Sequence, residues 1–197
     1  RVQHHHAHAA ACAAEHRLAG PCLTLTWDGT GLGSDGTIWG GEALRIEGPS
    51  VLRVGHLQPF PLPGGDRAAR EPRRSAAGLL WSCLGPEGWP EAARGWWSEA
   101  EFQLLQGMLR QGLNCPRTSS LGRLFDAVAA LAGLQAQAGF EGQAAMALEF
   151  AAESAGPAAG FPWALADRDG CLVADPQPML EALLRGQQDP AELARRF

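Results

Sequence analysis

His4 and His8 stand four residues apart in the segment VQHHHAHAAACAAEH, which runs from Val2 to His16 and carries five of the chain's six histidines. On a helix that interval puts both imidazoles on one face, close enough to share a small ion, as paired histidines at this spacing do in zinc metalloproteases. Two ligands do not complete a site. The candidate for a third ligand from outside this helix is Asp28, where a strand ends in a glycine loop. Imidazole with carboxylate suits a first-row divalent ion such as iron or zinc. No Glu follows His4, so the H-E-x-x-H protease pattern is absent. His5 and His6 cannot share the face of His4 and His8 and have weaker claims. A polar helix face is the competing reading, and spacing alone leaves the two level. A purification tag does not fit a run interrupted by Ala7 and continued by helix-forming Ala and Glu.

Phosphate chemistry is the second candidate. The stretch DGTGLGSDG holds Gly29, Gly31, Gly33 and Gly36, and closely spaced glycines let backbone N–H groups turn toward a phosphate with no Cβ in the way. It is not a Walker loop, because no Lys-Ser/Thr follows, and not a Rossmann fingerprint, because a strand comes next. A glycine loop between two strands is what actin-like nucleotide folds use, although a plain hairpin turn is the favoured alternative on this loop alone. In SSLGRLFDA, residues Gly122, Arg123 and Asp126 open a helix, where N–H groups favour anions and a carboxylate one turn in can reach ribose hydroxyls. PGGD and FEGQAA are tight glycine turns beside Asp66 and Glu141. Judged one at a time, a surface ion pair and helix caps account for these residues equally well.

The elements that must position these groups can be read from pattern. Ala-rich sequence from His4 to His16 favours a helix that Gly20-Pro21 ends. CLTLTWDG alternates as a half-buried strand and breaks at Asp28-Gly29; IWGGEALRI is a second strand, so the two form a hairpin-like unit. HLQPFPLPGG begins extended and turns at Gly64-Gly65, with Asp66 a suitable N-cap for a following helix. Residues 76–113 read as mostly helical with a break at GPEGWP, and their tryptophans Trp81, Trp89, Trp96 and Trp97 as packing. Ser119 and Ser120 can cap a helix whose Leu124, Phe125, Val128 and Leu131 share one face. Further helices are expected in EGQAAMALEFAAE, PMLEALLRG and DPAELARRF, with two short strands between residues 154 and 178.

Composition narrows the classes. A chain of 197 residues builds one domain, or two lobes of one architecture. The formal charge of −5, with no Lys/Arg run, disfavours nucleic acid as a partner. No apolar stretch approaches the roughly twenty residues of a membrane span and no secretory leader pattern opens the chain, which reads as cytoplasmic with no membrane partner. Five scattered cysteines without a C-x-x-C pair argue against disulfides and thiolate zinc, and each reads as a packed thiol. Arg1 opens inside an apparent helix and the chain stops at AELARRF, so the sequence reads as an excerpt of a longer protein.

Five segments in order, VQHHHAHAAACAAEH, DGTGLGSDGTIWGGE, LPGGDRAAREPRR, NCPRTSSLGRLFDAVAAL and FEGQAAMALE, make the chain resemble the hydrogenase maturation carbamoyltransferase HypF. The resemblance covers nearly the whole chain and is to the transferase portion, which is similar to the tRNA threonylcarbamoyl-transferase TsaD. It implies a partial α/β fold of the actin-like ATPase (ASKHA) type with a helical insertion. Residues 1–20 would be a metal-binding helix at the junction of two lobes, and residues 21–197 most of the second lobe. It further implies a divalent metal, iron or zinc, on His4, His8 and Asp28, which would be the catalytic centre. Phosphate binding would fall to Gly29, Gly31 and Gly33, and the nucleoside to Gly122, Arg123, Asp126, Glu141 and Gly142. The implied reaction passes a carbamoyl group from carbamoyl-adenylate, made in upstream domains from carbamoyl phosphate and ATP, to the C-terminal cysteine of the partner HypE. The product is the precursor of the cyanide ligands of [NiFe]-hydrogenase. The alternatives are an O-carbamoyltransferase of small-molecule biosynthesis and a non-catalytic metal- or nucleotide-binding remnant.

Overall fold

A computed structural model describes residues 2–186 and 189–197; Arg1, on which part of the excerpt reading rests, lies outside them. Helix α1 (His4–Glu15) is opened by Gln3, whose side chain accepts from the His6 N–H. It is followed by a long antiparallel hairpin, β1 (Cys22–Leu32) and β2 (Ile38–Glu47), and by β3 (Ser50–Leu57), which returns antiparallel along β2. Short β4 (Phe60–Pro61) and β5 (Arg117–Thr118), and the hairpin β6 (Ala164–Arg168) with β7 (Cys171–Asp175), complete a curled seven-stranded sheet among the described residues. Its path runs β4-β5-β2-β3-β7-β6, with β1 on β2; β5 and β7 join in parallel to β2 and β3.

One expectation about the strands is corrected. The first strand does not break at Asp28-Gly29 but continues to Leu32 across a bulge between Trp27 and Gly31. Gly31 pairs with Trp39 of β2 while Gly29 lies within the bulge, and the turn falls later, at residues 33–37. The strand β3 is an addition to the pattern reading, which assigns residues 48–55 to no element and reads the proline-rich stretch from His56 as extended chain.

The remaining helices are α2 (Pro72–Leu84), α3 (Glu91–Arg94), α4 (Glu99–Gln111), α5 (Leu121–Leu131), α6 (Gln143–Glu153), α7 (Gln177–Arg185) and α8 (Pro190–Arg196). The break near GPEGWP is present between α2 and α3. Helix α4 begins with a capping box between Ser98 and Glu101. Asp66 sits inside a 3-10 turn (Gly65–Ala69) that Gly64 opens in a left-handed conformation, so the expected aspartate cap is not formed. Ser120 caps α5, whereas Ser119 instead donates to the buried Glu42 carboxylate at 2.5 Å.

The main core gathers Leu79, Leu80, Leu124, Val128, Met179 and Leu180 where α2, α5 and α7 meet. Trp89 and Trp97 join it, as expected of packing tryptophans. A smaller cluster, Ala9 with Trp39, Leu44 and Ile46, seats α1 on β2. Strand periodicity sends the intervening residues to the other face. There Leu23, Leu25, Trp27, Leu165 and Leu172 are exposed. The cysteines are free; Cys12 is exposed and the other four are half-buried, so none is a fully packed thiol. Burial pushes the Cys83 thiol up to about 12 and raises those of Cys115 and Cys171, which keeps these sulfurs protonated. Among the described residues no helix is long and apolar enough to cross a membrane.

Candidate metal centre and nucleotide cleft

Helix α1 brings His4 and His8 to its exposed face, and β1 presents Asp28 opposite them. Trp27, its neighbour in β1, points to the bare face of the sheet, so strand alternation directs Asp28 toward α1. The His4 and His8 Nε2 atoms are 3.2 Å apart, and His4 Nε2 lies 2.9 Å from Asp28 Oδ2. One donor atom from each of the three residues falls within 4.8 Å of the others. A single ring proton on His4 cannot serve both contacts, whereas three convergent lone pairs suit one cation. Bonds of about 2.0–2.1 Å to a first-row ion give donor–donor edges of roughly 3.0–3.4 Å. The donor set therefore fits a divalent first-row metal in spacing and in ligand type.

Asp28 is held from behind. Its Oδ1 accepts from Gly29 N–H at 2.7 Å, and the Ser120 hydroxyl that caps α5 shares its proton between the carbonyls of Asp28 at 2.6 Å and Gly29 at 2.9 Å. The first turn of α5 thus presses on β1 at this point, and Gly122 permits it: an added Cβ would lie 2.8 Å from Gly29 Cα. His5, set aside by the spacing argument, is fully buried beneath the cluster. Burial lowers its imidazole below the ordinary value, against the pull of Asp28 and Glu42.

On the other side of Gly29 opens a cleft of about 480 Å³ lined by Gly29, Thr30, Asp66, Arg70, Arg123 and Glu141 among others. Three of the sequence-derived candidates, Gly29, Arg123 and Glu141, therefore meet in one cavity. Arg123 is buried, and its Nε donates to Gly29 O at 3.2 Å. Its Nη1 touches Asp126 Oδ2 at 2.6 Å, an ion pair in which neither atom makes an aligned hydrogen bond. Burial pushes the Asp126 carboxyl up to about 6; the Arg123 charge opposes this and Glu141 adds to it. Asp126 is absent from the cleft wall and meets it through Arg123.

The other glycines lie elsewhere. Gly31 packs under the His5 and His4 rings, Gly33 against Trp39 and Asp35, and Gly142 opens α6 in a left-handed conformation beside Glu141. The N–H groups of Gly29 and Gly33 are already donated, to Asp28 Oδ1 and to Thr37 O. The expected cradle of glycine N–H groups is thus replaced by a bulged hairpin. Arg70 and Thr30 were not foreseen. Arg70 follows the PGGD turn, and among the described residues no carboxylate pairs with it; an arginine so close to a glycine turn was the available signal.

Known proteins of similar sequence and fold establish the family of the chain. Residues 24–197 match the family described as "Carbamoyltransferase, Kae1-like Domain, second subdomain". The chain is 49% identical over 169 residues to carbamoyltransferase HypF2 of Cupriavidus necator, covering 82% of this chain and 20% of that protein. It is 39% identical over 197 residues to carbamoyltransferase HypF of a Synechocystis species, covering 92% and 26%. The crystal structure of full-length HypF in its phosphate- and nucleotide-bound form superposes over the whole chain with a TM-score of 0.87 at 33% identity, and the chain covers 26% of it. For HypF of T. kodakarensis the TM-score is 0.85 at 30% identity, with 27% of that chain covered. The chain thus spans about a fifth to a quarter of the length of these relatives. Its curled sheet and helices fit a partial ASKHA fold, and the chain belongs to the HypF carbamoyltransferase family.

Proposed function

We propose that this chain supplies the carbamoyl-transfer site of a HypF-type enzyme. One observation carries the reading: Asp28 and Gly29 are adjacent on β1, so the His4/His8/Asp28 cluster and the cleft floored by Arg123 share a wall. The names of the relatives support a carbamoyltransferase, and the nucleotide- and phosphate-bound relative supports a nucleotide in the cleft. On this reading residues 1–20 form the metal-binding helix at a lobe junction, and residues 21–197 most of the second lobe with its helical insertion.

His4, His8 and Asp28 would hold a divalent ion, which when bound would supply Lewis-acid polarisation of a carbonyl oxygen. The protein's own groups do the rest. Arg123, held by Asp126, places a cation at the cleft floor for the phosphate of carbamoyl-adenylate, and Arg70 a second at the rim. Glu141 accepts from ribose hydroxyls. The thiolate of the C-terminal cysteine of HypE attacks the carbamoyl carbon; the S–C bond forms, the bond from that carbon to the phosphate oxygen breaks, and AMP leaves with the electron pair. No cysteine of this chain is needed as nucleophile, which agrees with the protonated state of Cys83, Cys115 and Cys171. Carbamoyl phosphate and ATP enter through other domains of such an enzyme.

The test is metal content and carbamoyl transfer to HypE by the protein at its full natural length, wild type against His4→Ala and Asp28→Ala. Joint loss of metal and transfer, with carbamoyl-adenylate synthesis intact, is the expected result. Unchanged metal and transfer in both variants would reduce the cluster to a polar helix face.

A further inference from the structure

Of the two histidines that helical spacing excludes from the cluster, His5 and His6, the fold encloses His5 completely. Its ring lies at 33° to that of Trp39, with centroids 6.1 Å apart. Enclosing a polar ring costs free energy unless both nitrogens are used.

Gln3 decides how they are used. Its Oε1 accepts from His6 N–H at 2.9 Å, so the other amide atom is the nitrogen. That nitrogen donates to Leu32 O at 3.1 Å and contacts His5 Nδ1 at 2.9 Å. His5 Nδ1 is therefore the acceptor, and in the neutral imidazole the proton sits on Nε2. His5 Nε2 is buried with no hydrogen-bond partner among the described residues. The carboxylate nearest to it is that of Asp28, whose Oδ2 lies 3.5 Å away without the alignment of a formed hydrogen bond and is the same oxygen that lies 2.9 Å from His4 Nε2.

Gly31 belongs to the same arrangement. A Cβ at this position would collide with His5 Cε1 and lie 3.1 Å from its Nε2. The glycine is needed for the space the ring occupies.

We propose that His5 is a positioning residue for Asp28: its Nε2–H, oriented by Gln3 and seated by Gly31, aims Oδ2 at the point where His4 and His8 converge. With Oδ1 fixed by the Gly29 N–H, both carboxylate oxygens are then constrained. This rests on the reading of His4, His8 and Asp28 as metal ligands. Donors behind a ligating carboxylate orient it, and their removal typically weakens metal binding about 10- to 100-fold.

The experiment measures Zn²⁺ affinity by chelator competition and the Co²⁺ absorption spectrum of the full-length protein. His5→Phe, which keeps a ring but no donor, is expected to weaken Zn²⁺ binding about 10- to 100-fold and to shift the Co²⁺ bands. His5→Gln, which restores an N–H, recovers part of both. A folded His5→Phe protein with wild-type affinity and spectrum overturns the inference while leaving the ligand reading intact. If His4→Ala binds Zn²⁺ as tightly as wild type, the ligand reading falls and this inference with it. Should His5→Phe not fold, long-range ¹H–¹⁵N spectra of the wild-type protein decide: a proton on Nδ1 contradicts the proposal, and a proton on Nε2 supports it.

Discussion

Asp28 and Gly29 are neighbours on β1, yet they serve two regions built on opposite principles. The histidine cluster faces solvent: the His4 side chain is 49% exposed and that of Asp28 30%. The floor of the cleft is enclosed, with Arg123 and Asp126 each 8% exposed. In the first region the reactive side chains stand free, and the support, His5 with Gln3 and Gly31, is buried behind them. In the second the charged pair is itself the buried support. Substitutions should therefore separate function from stability in the cluster and join them in the cleft.

The largest effect is expected from Arg123→Met. Removing one partner of a buried ion pair leaves an uncompensated carboxylate, which typically costs about 3–5 kcal/mol. Urea unfolding checks it. A loss below about 1 kcal/mol would mean that the pair does not hold the cleft floor, and the contrast between the regions would fail.

Some of this contrast was legible in the sequence, and what escaped has a physical cause. Helices α1 and α5 declare themselves because their signals are local: alanines in one, a serine cap and apolar residues at helical spacing in the other. The ligand spacing of His4 and His8 is equally local. The strand β3 depends on partners on both sides, β2 and β7, and residues 48–59 carry turn formers that mask it. Glycines 29 and 31 read as loop because their place in the strand is set by β2, which pairs with Gly31 and leaves Gly29 in the bulge. His5 was undervalued because a helical wheel places residues relative to their own helix, while the carboxylate it faces arrives from a strand 23 residues later. The Asp126 carboxyl illustrates the same limit: its partner at three residues' distance is visible, its burial is not.

That burial gives the next prediction. The folded carboxyl titrates near 6, above its ordinary 3.8, so folding favours the protonated form. The stability this group contributes is fully present below about pH 4 and is lost as the pH climbs through 6, a fall of about 2–3 kcal/mol. Asp126→Asn should flatten that part of the stability profile. An unchanged slope in the variant would show that the carboxyl is not displaced from its ordinary range.

Gly29→Ala probes the boundary between the regions. The added Cβ would lie 3.0 Å from Arg123 Nη2 and 3.5 Å from Glu141 Oε1. Glu141 can give way, but Arg123 is buried and paired with Asp126, so a cost in stability of about 1–2 kcal/mol is expected. Their displacement from the cleft should weaken nucleotide binding about tenfold, roughly 1.4 kcal/mol by calorimetry. Unchanged affinity would detach Gly29 from the cleft's function and leave it a packing residue for α5.

The smallest effect on stability is expected where the effect on function is greatest. His4 is half-exposed, and its Nε2 contacts are to His8 and Asp28, groups that water can solvate equally well. Without metal, His4→Ala should change unfolding free energy by less than about 0.5 kcal/mol. With Zn²⁺ added, the wild-type protein gains stability by mass action, because the ion binds the folded ligand set, and the variant gains little. Melting curves with and without Zn²⁺ separate the two quantities. A metal-free variant that loses several kcal/mol would mean that the histidine face also holds α1 to the hairpin, so that the cluster, like the cleft, builds support and function from the same atoms.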